Sequence, residues 1–149
     1  MRVRLATPAD TTVLKSLERA TDTAAHWSDN AYTRLFTAEP PRIVLIAEAE
    51  QVEAFLVGKV IGADAEVENI VVSEKSRRQG LGLLLLRRFL EEGGRSGVRR
   101  IFLEVRESND AARMLYKTFG FREGGRRPKY YCDPVEDAVL YEIAVPETA

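Results

Sequence analysis

Residues 68–105 restrict the possible folds of this 149-residue chain most strongly, because they follow the order strand, turn, helix, strand. "ENIVV" has the composition of a strand and "SEKSRRQG" that of a turn, while "LGLLLLRRFLEEGG" is typical of a helix that ends at Gly93 and Gly94. "RRIFLEV" then alternates like a second strand. Two strands joined through a helix lie parallel in one sheet, with the helix on its face. The sequence therefore predicts a mixed α/β fold.

The segments on either side add further strands and helices. Before this unit we expect a strand at "VRLA", a helix capped by Thr7 or Asp10, a short helix in "HWSDNAYTRLF" with Ser28 as its N-cap, and two strands, "PPRIVLIAEAE" and "VEAFLVGKVIGAD". After it we expect the helix "NDAARMLYKTFG", capped by Ser108 or Asn109 and ended by Gly120, and a last strand, "AVLYEIAV". Strand pairs at either end of the chain predict antiparallel sheet edges.

Composition excludes several classes of function. The 22 Lys and Arg residues balance 23 Asp and Glu residues. The chain therefore lacks the overall positive charge that would indicate nucleic acid binding. One cysteine, Cys132, cannot form an internal disulfide, which fits a cytoplasmic protein. No apolar segment reaches the roughly 20 residues that cross a bilayer, and "MRVRLATPAD" lacks a signal-peptide core. We expect one cytoplasmic domain over residues 1–149, with no membrane or nucleic acid partner.

Metal and thiol chemistry are also not expected. His26 is the only histidine, so a zinc site built from histidines is excluded. A covalent route through Cys132 would need a histidine to activate the thiol, and none lies near it in the sequence.

The turn "SRRQGLG", residues 76–82, has the features of an anion site. Backbone N–H groups at a helix start have no partner within the helix, and the helix dipole places positive charge there. Gly80 and Gly82 remove side chains that would hold a phosphate away, and Arg77 and Arg78 add charge. A P-loop is excluded because no lysine and hydroxyl pair follows the glycines, and a dinucleotide fingerprint is excluded by Leu85. The alternative is a solvated basic turn.

The wider pattern resembles a known family. Residues 77–82 fit Arg/Gln-x-x-Gly-x-Gly/Ala, "ENIVV" precedes them and "LEVRESNDAARMLYKTFGF" follows. The chain thereby resembles the GCN5-related N-acetyltransferase (GNAT) superfamily. With "RRPKYYCDPVEDAVLY" it is most similar to the bacterial RimI-type branch, which acetylates the N-terminal alanine of a small-subunit ribosomal protein. The resemblance implies the GNAT fold, a central mixed, largely antiparallel sheet with a parallel splayed strand pair, flanked by helices.

The resemblance also implies acetyl-CoA as cosubstrate, no metal, and a protein N-terminus as acceptor. The family binds the acetyl-pantetheine arm along the splayed strand and the pyrophosphate in the glycine loop. The implied cofactor-binding residues are Ile70, Val71 and Val72 on the strand, Arg78, Gln79, Gly80, Leu81, Gly82 and Leu83 in the loop and helix start, and Asn109. From the residues alone, "NIVV" is equally an ordinary buried strand, and Asn109 is a helix N-cap. Both interpretations are compatible with cofactor binding.

The implied catalytic residues are Glu104 as general base and Tyr116 as general acid. Strand alternation places Ile101, Leu103 and Val105 on one face of "RRIFLEV", and Phe102, Glu104 and Arg106 on the other. From the residues alone, Glu104 could equally be exposed or salt-bridged. Helical spacing puts Tyr116 at the edge of the apolar stripe formed by Ala112, Leu115 and Phe119, where it could simply pack in the core.

Three departures leave alternatives open. Glu66 occupies the position where several other GNAT branches carry their base, and Glu68 adds a carboxylate on the same strand face. Pro128-Lys129 replaces the usual residues before Tyr130 and Tyr131. We expect transfer of acetyl to an N-terminal alanine, through a tunnel walled by Tyr32, Tyr130 and Tyr131. The alternatives are acetylation of other protein N-termini, lysines or small amines, or a non-catalytic acyl-CoA-binding module.

Overall fold

A computed structural model describes residues 1–21, 27–37 and 39–147. His26 lies outside these ranges. Seven strands form one sheet, in the order β1-β2-β3-β4-β5-β7-β6. The strands are β1 (Arg2–Leu5), β2 (Arg42–Glu48), β3 (Val52–Ile61), β4 (Asp64–Val72), β5 (Arg100–Arg106), β6 (Arg122–Tyr131) and β7 (Glu136–Ala144). The helices are α1 (Thr11–Arg19), α2 (Asp29–Thr33), α3 (Leu81–Arg95) and α4 (Asp110–Phe119), with short 3-10 turns at Pro8–Asp10 and Glu74–Ser76.

The sheet pairing confirms the predicted mixed α/β fold. β4 and β5, which α3 connects, are parallel, and the other neighbouring strands in the described ranges are antiparallel. Local signals placed the start of α2 and the end of α4 correctly, whereas at the start of α1 the N-cap residue Asp10 makes no side-chain cap hydrogen bond. The Ser28 side chain accepts a hydrogen bond from the Ala31 N–H, and Gly120 ends α4 in the left-handed conformation with φ 119°.

Each face of the sheet is covered by its own hydrophobic core. On one face, Leu85 and Phe89 of α3 pack with buried residues of β2 to β5. Phe89 lies directly on the backbone of Gly58, where a Cβ atom would come within 2.2 Å of the ring. On the other face, Leu14 of α1 and Tyr32 of α2 pack on β2 and β3. The helices therefore cover β2 and β3 from both sides.

The end of α3 differs from the sequence prediction. Gly93 and Gly94 lie inside the helix, which continues to Arg95, and the chain reverses at Gly97 with φ 89°. A glycine inside a helix costs roughly 1 kcal/mol relative to alanine. A glycine fits at position 93 because Val98 lies close to it. A Cβ atom added at Gly93 would lie 3.3 Å from the Cβ of Val98. The contact is local: the Val98 N–H donates to the Gly93 carbonyl at 2.8 Å, and Gly97, with its positive φ, is the glycine that ends the helix. The prediction was wrong because it chose the first glycines after the apolar run instead of Gly97.

Two kinds of feature are absent from the described residues. None of the helices there is both long and apolar enough to cross a membrane. Within the same residues, no group of three or more His, Cys, Asp or Glu side chains is arranged to hold a metal ion.

Candidate active site

A cleft opens where β4 and β5 separate. The two strands pair over only three positions, from Asp64 opposite Arg100 to Glu66 opposite Phe102. On its other edge, β4 stays paired with β3 as far as Val72. Within the described part of the chain, the β4 edge beyond Glu66 therefore has no strand partner on the β5 side. The resulting cleft has a volume of about 1310 Å³.

The structure brings nearly all of the predicted site residues to this cleft. Those that line it are Ile70, Val71, Val72, Arg78, Gly80, Leu81, Gly82, Leu83, Glu104, Asn109 and Tyr116. Gln79 lies in the same loop but does not line the cleft. Residues far apart in sequence thus meet because β4, β5 and the starts of α3 and α4 surround one opening.

The glycine loop meets the cleft at the start of α3. Arg78 and Gly80 both have positive φ, 66° and 78°. Gly80 occupies the N-cap position, its carbonyl accepts a hydrogen bond from the Leu84 N–H, and the first turn of α3 contains no acidic residue. The unpaired N–H groups of a helix start attract an anion, and Arg77 and Arg78 also line the cleft.

Gly82 has a structural reason in addition to the predicted one, which stays a prediction. A Cβ atom at this position would lie 2.9 Å from Cδ2 of Leu115, so its lack of a side chain allows α3 to approach α4. At Gly80, by contrast, an added Cβ would meet no atom within 4 Å. Gly80 therefore supplies the loop conformation, and Gly82 supplies the helix contact. The sequence could not separate these two roles.

A buried carboxylate anchors the loop, and the sequence analysis missed it. Glu53 Oε2 accepts hydrogen bonds from the hydroxyls of Ser73 (2.8 Å) and Ser76 (2.7 Å), and its other oxygen lies 3.3 Å from Lys75 Nζ. The Ser76 hydrogen bond is the main reason that the pKa of Glu53 is lowered, and the Ser73 bond adds to it. The turn before the glycine loop is thus tied to β3 by an ionised side chain.

Glu104 points into the cleft, while Ile101, Leu103 and Val105 are buried on the other face as predicted. Its Oε1 lies 2.9 Å from Nε of Arg127, in an ion pair where the Glu104 side chain is 17% exposed and that of Arg127 is 58% exposed. The negative charge of Glu104 also raises the pKa of Tyr130. The carboxylate is therefore both salt-bridged and in the cleft, which combines the two alternatives that the sequence left open.

Glu66 and Glu68 line the same cleft. Burial raises the pKa of Glu66, and the charges of Glu68 and Glu104 act in the same direction, against the nearby Lys59. Glu68 is held by Arg42 through Nε (3.0 Å) and Nη2 (3.4 Å). Glu66 thus holds a proton more readily than an ordinary glutamate, and it remains a rival to Glu104 as the base.

Tyr116 is more buried than its helical spacing predicted. Its side chain is 5% exposed and packs against the rings of Phe121 (centroids 5.7 Å apart) and Tyr141 (6.1 Å). Burial raises the pKa of Tyr116, so the phenol stays protonated over the physiological range. Because Tyr116 also lines the cleft, core packing and proton donation are compatible. Asn109 is the N-cap of α4, and its Oδ1 accepts from the Ala112 N–H at 3.1 Å.

The aromatic wall differs from the predicted one. Tyr32 is fully buried in the α1–α2 core and does not line the cleft, so it is no part of a substrate tunnel. Trp27 lines the cleft instead, with its ring centroid 5.8 Å from that of Tyr32. Tyr130 and Tyr131 do line it, with ring centroids 5.1 Å apart. Tyr32 is buried because α1, β2 and β3 pack around it, which sequence spacing alone did not reveal.

This cleft between splayed parallel strands belongs to a recognisable class of domain. Residues 12–121, well over half of the chain, match the family model described as "Acetyltransferase (GNAT) family". The chain therefore belongs to the acetyltransferase (GNAT) family.

Relatives within the family share an enzyme name. A candidate [ribosomal protein bS18]-alanine N-acetyltransferase of Bacillus subtilis (strain 168) is 31% identical over 131 residues, which are 88% of this chain and 87% of that protein. The [ribosomal protein bS18]-alanine N-acetyltransferase of Escherichia coli (strain K12) is 39% identical over 94 residues, 62% of this chain and 64% of that protein.

Solved structures show the same fold. The crystal structure of the ribosomal-protein-S18-alanine N-acetyltransferase from Escherichia coli matches with a TM-score of 0.85 and 28% identity, over 99% of this chain and 96% of that one. A candidate acetyltransferase from Salmonella typhimurium, solved with its cofactor acetyl-CoA, matches with a TM-score of 0.81 and 19% identity, over 99% of this chain and 95% of that one.

Proposed function

We propose that this chain transfers the acetyl group of acetyl-CoA to the N-terminal α-amine of a protein, and that its substrate is the N-terminal alanine of a small-subunit ribosomal protein. The observation that carries the proposal is the splayed β4–β5 cleft, which brings a helix start, carboxylates and a buried phenol together. The names of the Bacillus subtilis and Escherichia coli relatives support the choice of acceptor.

The residues present fit acetyl-CoA. The free backbone edge of β4 at Ile70, Val71 and Val72 offers N–H and C=O groups to an extended amide-bearing arm. The start of α3, beside Arg77 and Arg78, offers N–H groups and positive charge to a pyrophosphate. In this proposal, acetyl-CoA supplies the acetyl group as a reactive thioester.

The proposed reaction is direct transfer. The neutral amine nitrogen forms a bond to the carbonyl carbon, and the bond from that carbon to sulfur breaks. Glu104 takes up the proton that the amine loses, and Tyr116 donates a proton to the leaving sulfur. A backbone N–H of the free β4 edge stabilises the negative charge on the carbonyl oxygen. Glu66, whose pKa is raised by burial, is the second candidate for the base.

Acetyl-CoA binding is expected to weaken at least about tenfold in Gly80→Asp relative to Gly80→Asn. Both residues tolerate positive φ, and the open space around Gly80 admits either side chain. The two variants differ only in charge, so the difference reports repulsion of the pyrophosphate. Calorimetry with acetyl-CoA measures both affinities, and circular dichroism checks that the variants are folded. Equal affinities would show that this loop does not hold the pyrophosphate.

Peptides that begin with alanine are expected to react faster than peptides with bulky first residues and than N-blocked peptides containing lysine. An α-amine has a pKa about 2.5 units below that of a lysine side chain, so far more of it is neutral near pH 7. In this proposal, the aromatic side chains of Trp27, Tyr130 and Tyr131, which line the cleft, favour a small first residue. Release of CoA measures the rate, and mass spectrometry locates the added acetyl group. Acetylation confined to lysine side chains or to small amines would contradict the proposed acceptor.

A further inference from the structure

One guanidinium holds the turn between β6 and β7. Arg106 ends β5, two residues after Glu104. Its Nη1 donates to the Pro134 carbonyl (3.0 Å) and to Glu136 Oε2 (3.2 Å), and its Nη2 donates to the Cys132 carbonyl (2.9 Å). The same guanidinium lies 4.5 Å from the centroid of the Tyr131 ring. Four groups of one hairpin thus contact a single side chain of another strand.

The partner carboxylate extends this contact to α4. Glu136 Oε1 accepts a hydrogen bond from the Ser108 N–H, immediately before the Asn109 cap of α4. The contacts with Ser108 lower the pKa of Glu136, and Arg106 adds to the effect, so the carboxylate is ionised at neutral pH. The ion pair therefore joins β5, the β6–β7 hairpin and the start of α4. These elements carry Glu104, the Tyr130–Tyr131 wall and Tyr116, respectively.

The other contacts that reach the hairpin from β5 and the segment after it end on its strands: Arg127 pairs with Glu104, Arg126 pairs with Glu107, and the Glu107 N–H donates to the Asp137 carbonyl at 3.2 Å. β6 is the outermost strand of the sheet and is exposed along almost its whole length. Its ladder with β7 is interrupted between Arg127 and Tyr131, where Lys129 has a φ of 53°. Within the described residues, the Lys129 N–H is bonded to the side chain of Asp137. The position of Tyr131 over the cleft thus depends on contacts from outside the hairpin ladder.

We propose that Arg106 is a positioning residue for the acceptor peptide: it holds the β6–β7 turn so that Tyr131 walls the approach to Glu104. This inference rests on the proposed function, because it concerns the binding of a peptide acceptor. A guanidinium suits the role since its planar fork can bond two carbonyls and a carboxylate while stacking on an aromatic ring. A lysine at this position keeps the charge but cannot make all of these contacts together.

The test is the steady-state kinetics of Arg106→Ala and Arg106→Lys with an alanine-first peptide. We expect the KM for the peptide to rise roughly tenfold in Arg106→Ala, with the acetyl-CoA affinity within about twofold of wild type. The peptide KM of Arg106→Lys is expected to lie between those of wild type and Arg106→Ala. The lysine variant also keeps the test available if the alanine variant does not fold.

Arg100→Ala is the matched control. Arg100 lies at the other end of β5, pairs with Asp64 and Glu142 (both 3.2 Å), and lies 5.4 Å from the ring centroid of Phe102. Its loss removes a comparable set of contacts from the same strand, away from the cleft. The peptide KM of Arg100→Ala should stay within about twofold of wild type.

Hydrogen exchange in the free proteins provides a measurement that needs no substrate. Amides of residues 126–136 should exchange faster in Arg106→Ala than in wild type or Arg100→Ala. An unchanged peptide KM in Arg106→Ala, or an equal loss of peptide and acetyl-CoA binding, would overturn the positioning role. If wild-type protein acetylates no peptide N-terminus, the proposed function itself fails, whatever the exchange data show.

Discussion

Glu104→Gln is expected to slow acetyl transfer by roughly 10²- to 10⁴-fold while acetyl-CoA binds as in wild type. Glutamine keeps the shape of the side chain, but it cannot take up the proton that the amine must lose. The cofactor loop is untouched, because Glu104 lies on β5 and the loop precedes α3. Single-turnover rates measure the chemical step, and calorimetry measures the affinity for acetyl-CoA.

Glu66→Gln is the matched control, since it removes a carboxylate from the same cleft on the neighbouring strand. The two choices of base predict opposite effects of these variants on the transfer rate. If Glu104 is the base, Glu66→Gln keeps most of the rate. A wild-type rate in Glu104→Gln together with a large loss in Glu66→Gln would instead make Glu66 the base, in keeping with its raised pKa.

Tyr116→Phe is expected to lower kcat by roughly 10²-fold or more, with a folded protein that binds acetyl-CoA normally. Phenylalanine keeps the packing against Phe121 and Tyr141 and removes only the hydroxyl. Because burial raises the pKa of Tyr116 above its ordinary value of 10, the donor keeps its proton as the pH rises to that value. In wild type, kcat should therefore show no fall below about pH 10 from ionisation of this phenol.

Tyr141→Phe controls for the loss of a buried hydroxyl. The Tyr141 hydroxyl accepts a hydrogen bond from Arg113 Nε (3.0 Å), and the residue does not line the cleft. Its removal should leave kcat within about twofold of wild type, at a small cost in stability. A Tyr116→Phe variant with wild-type kcat would exclude this phenol as the acid.

The helix starts and strand faces near the site were accessible from sequence because short-range chemistry sets them. Asn109 caps α4 through an amide three residues away, and Gly120 ends the same helix because glycine adopts positive φ at low cost. The alternation of β5 likewise placed Glu104 on the face opposite Leu103. Each of these features depends on residues within one turn or one strand. The assignment of roles to Glu104 and Tyr116 came from the family resemblance, and it stays a prediction.

Long-range contacts account for what the sequence did not reveal at Gly82 and Tyr32. Leu115 of α4 explains why residue 82 has no side chain, because a Cβ atom there would lie 2.9 Å from Cδ2 of Leu115. Tyr32 follows a recognisable helix cap, yet its burial depends on β2 and β3. Local pattern holds no information about a partner that lies tens of residues away in the chain.

By itself, the sequence determined the order of the helices and of all the strands except β6, the parallel pair that α3 connects, and the placement of a charged glycine turn at a helix start. The tertiary structure decided where β4 and β5 separate, and hence which residues face one cleft. It also decided the ionic setting of the carboxylates, since Arg127 reaches Glu104 and Arg42 reaches Glu68 across the fold. The physical reason is range: backbone propensity acts over a few residues, whereas burial and ion pairing depend on distance in space.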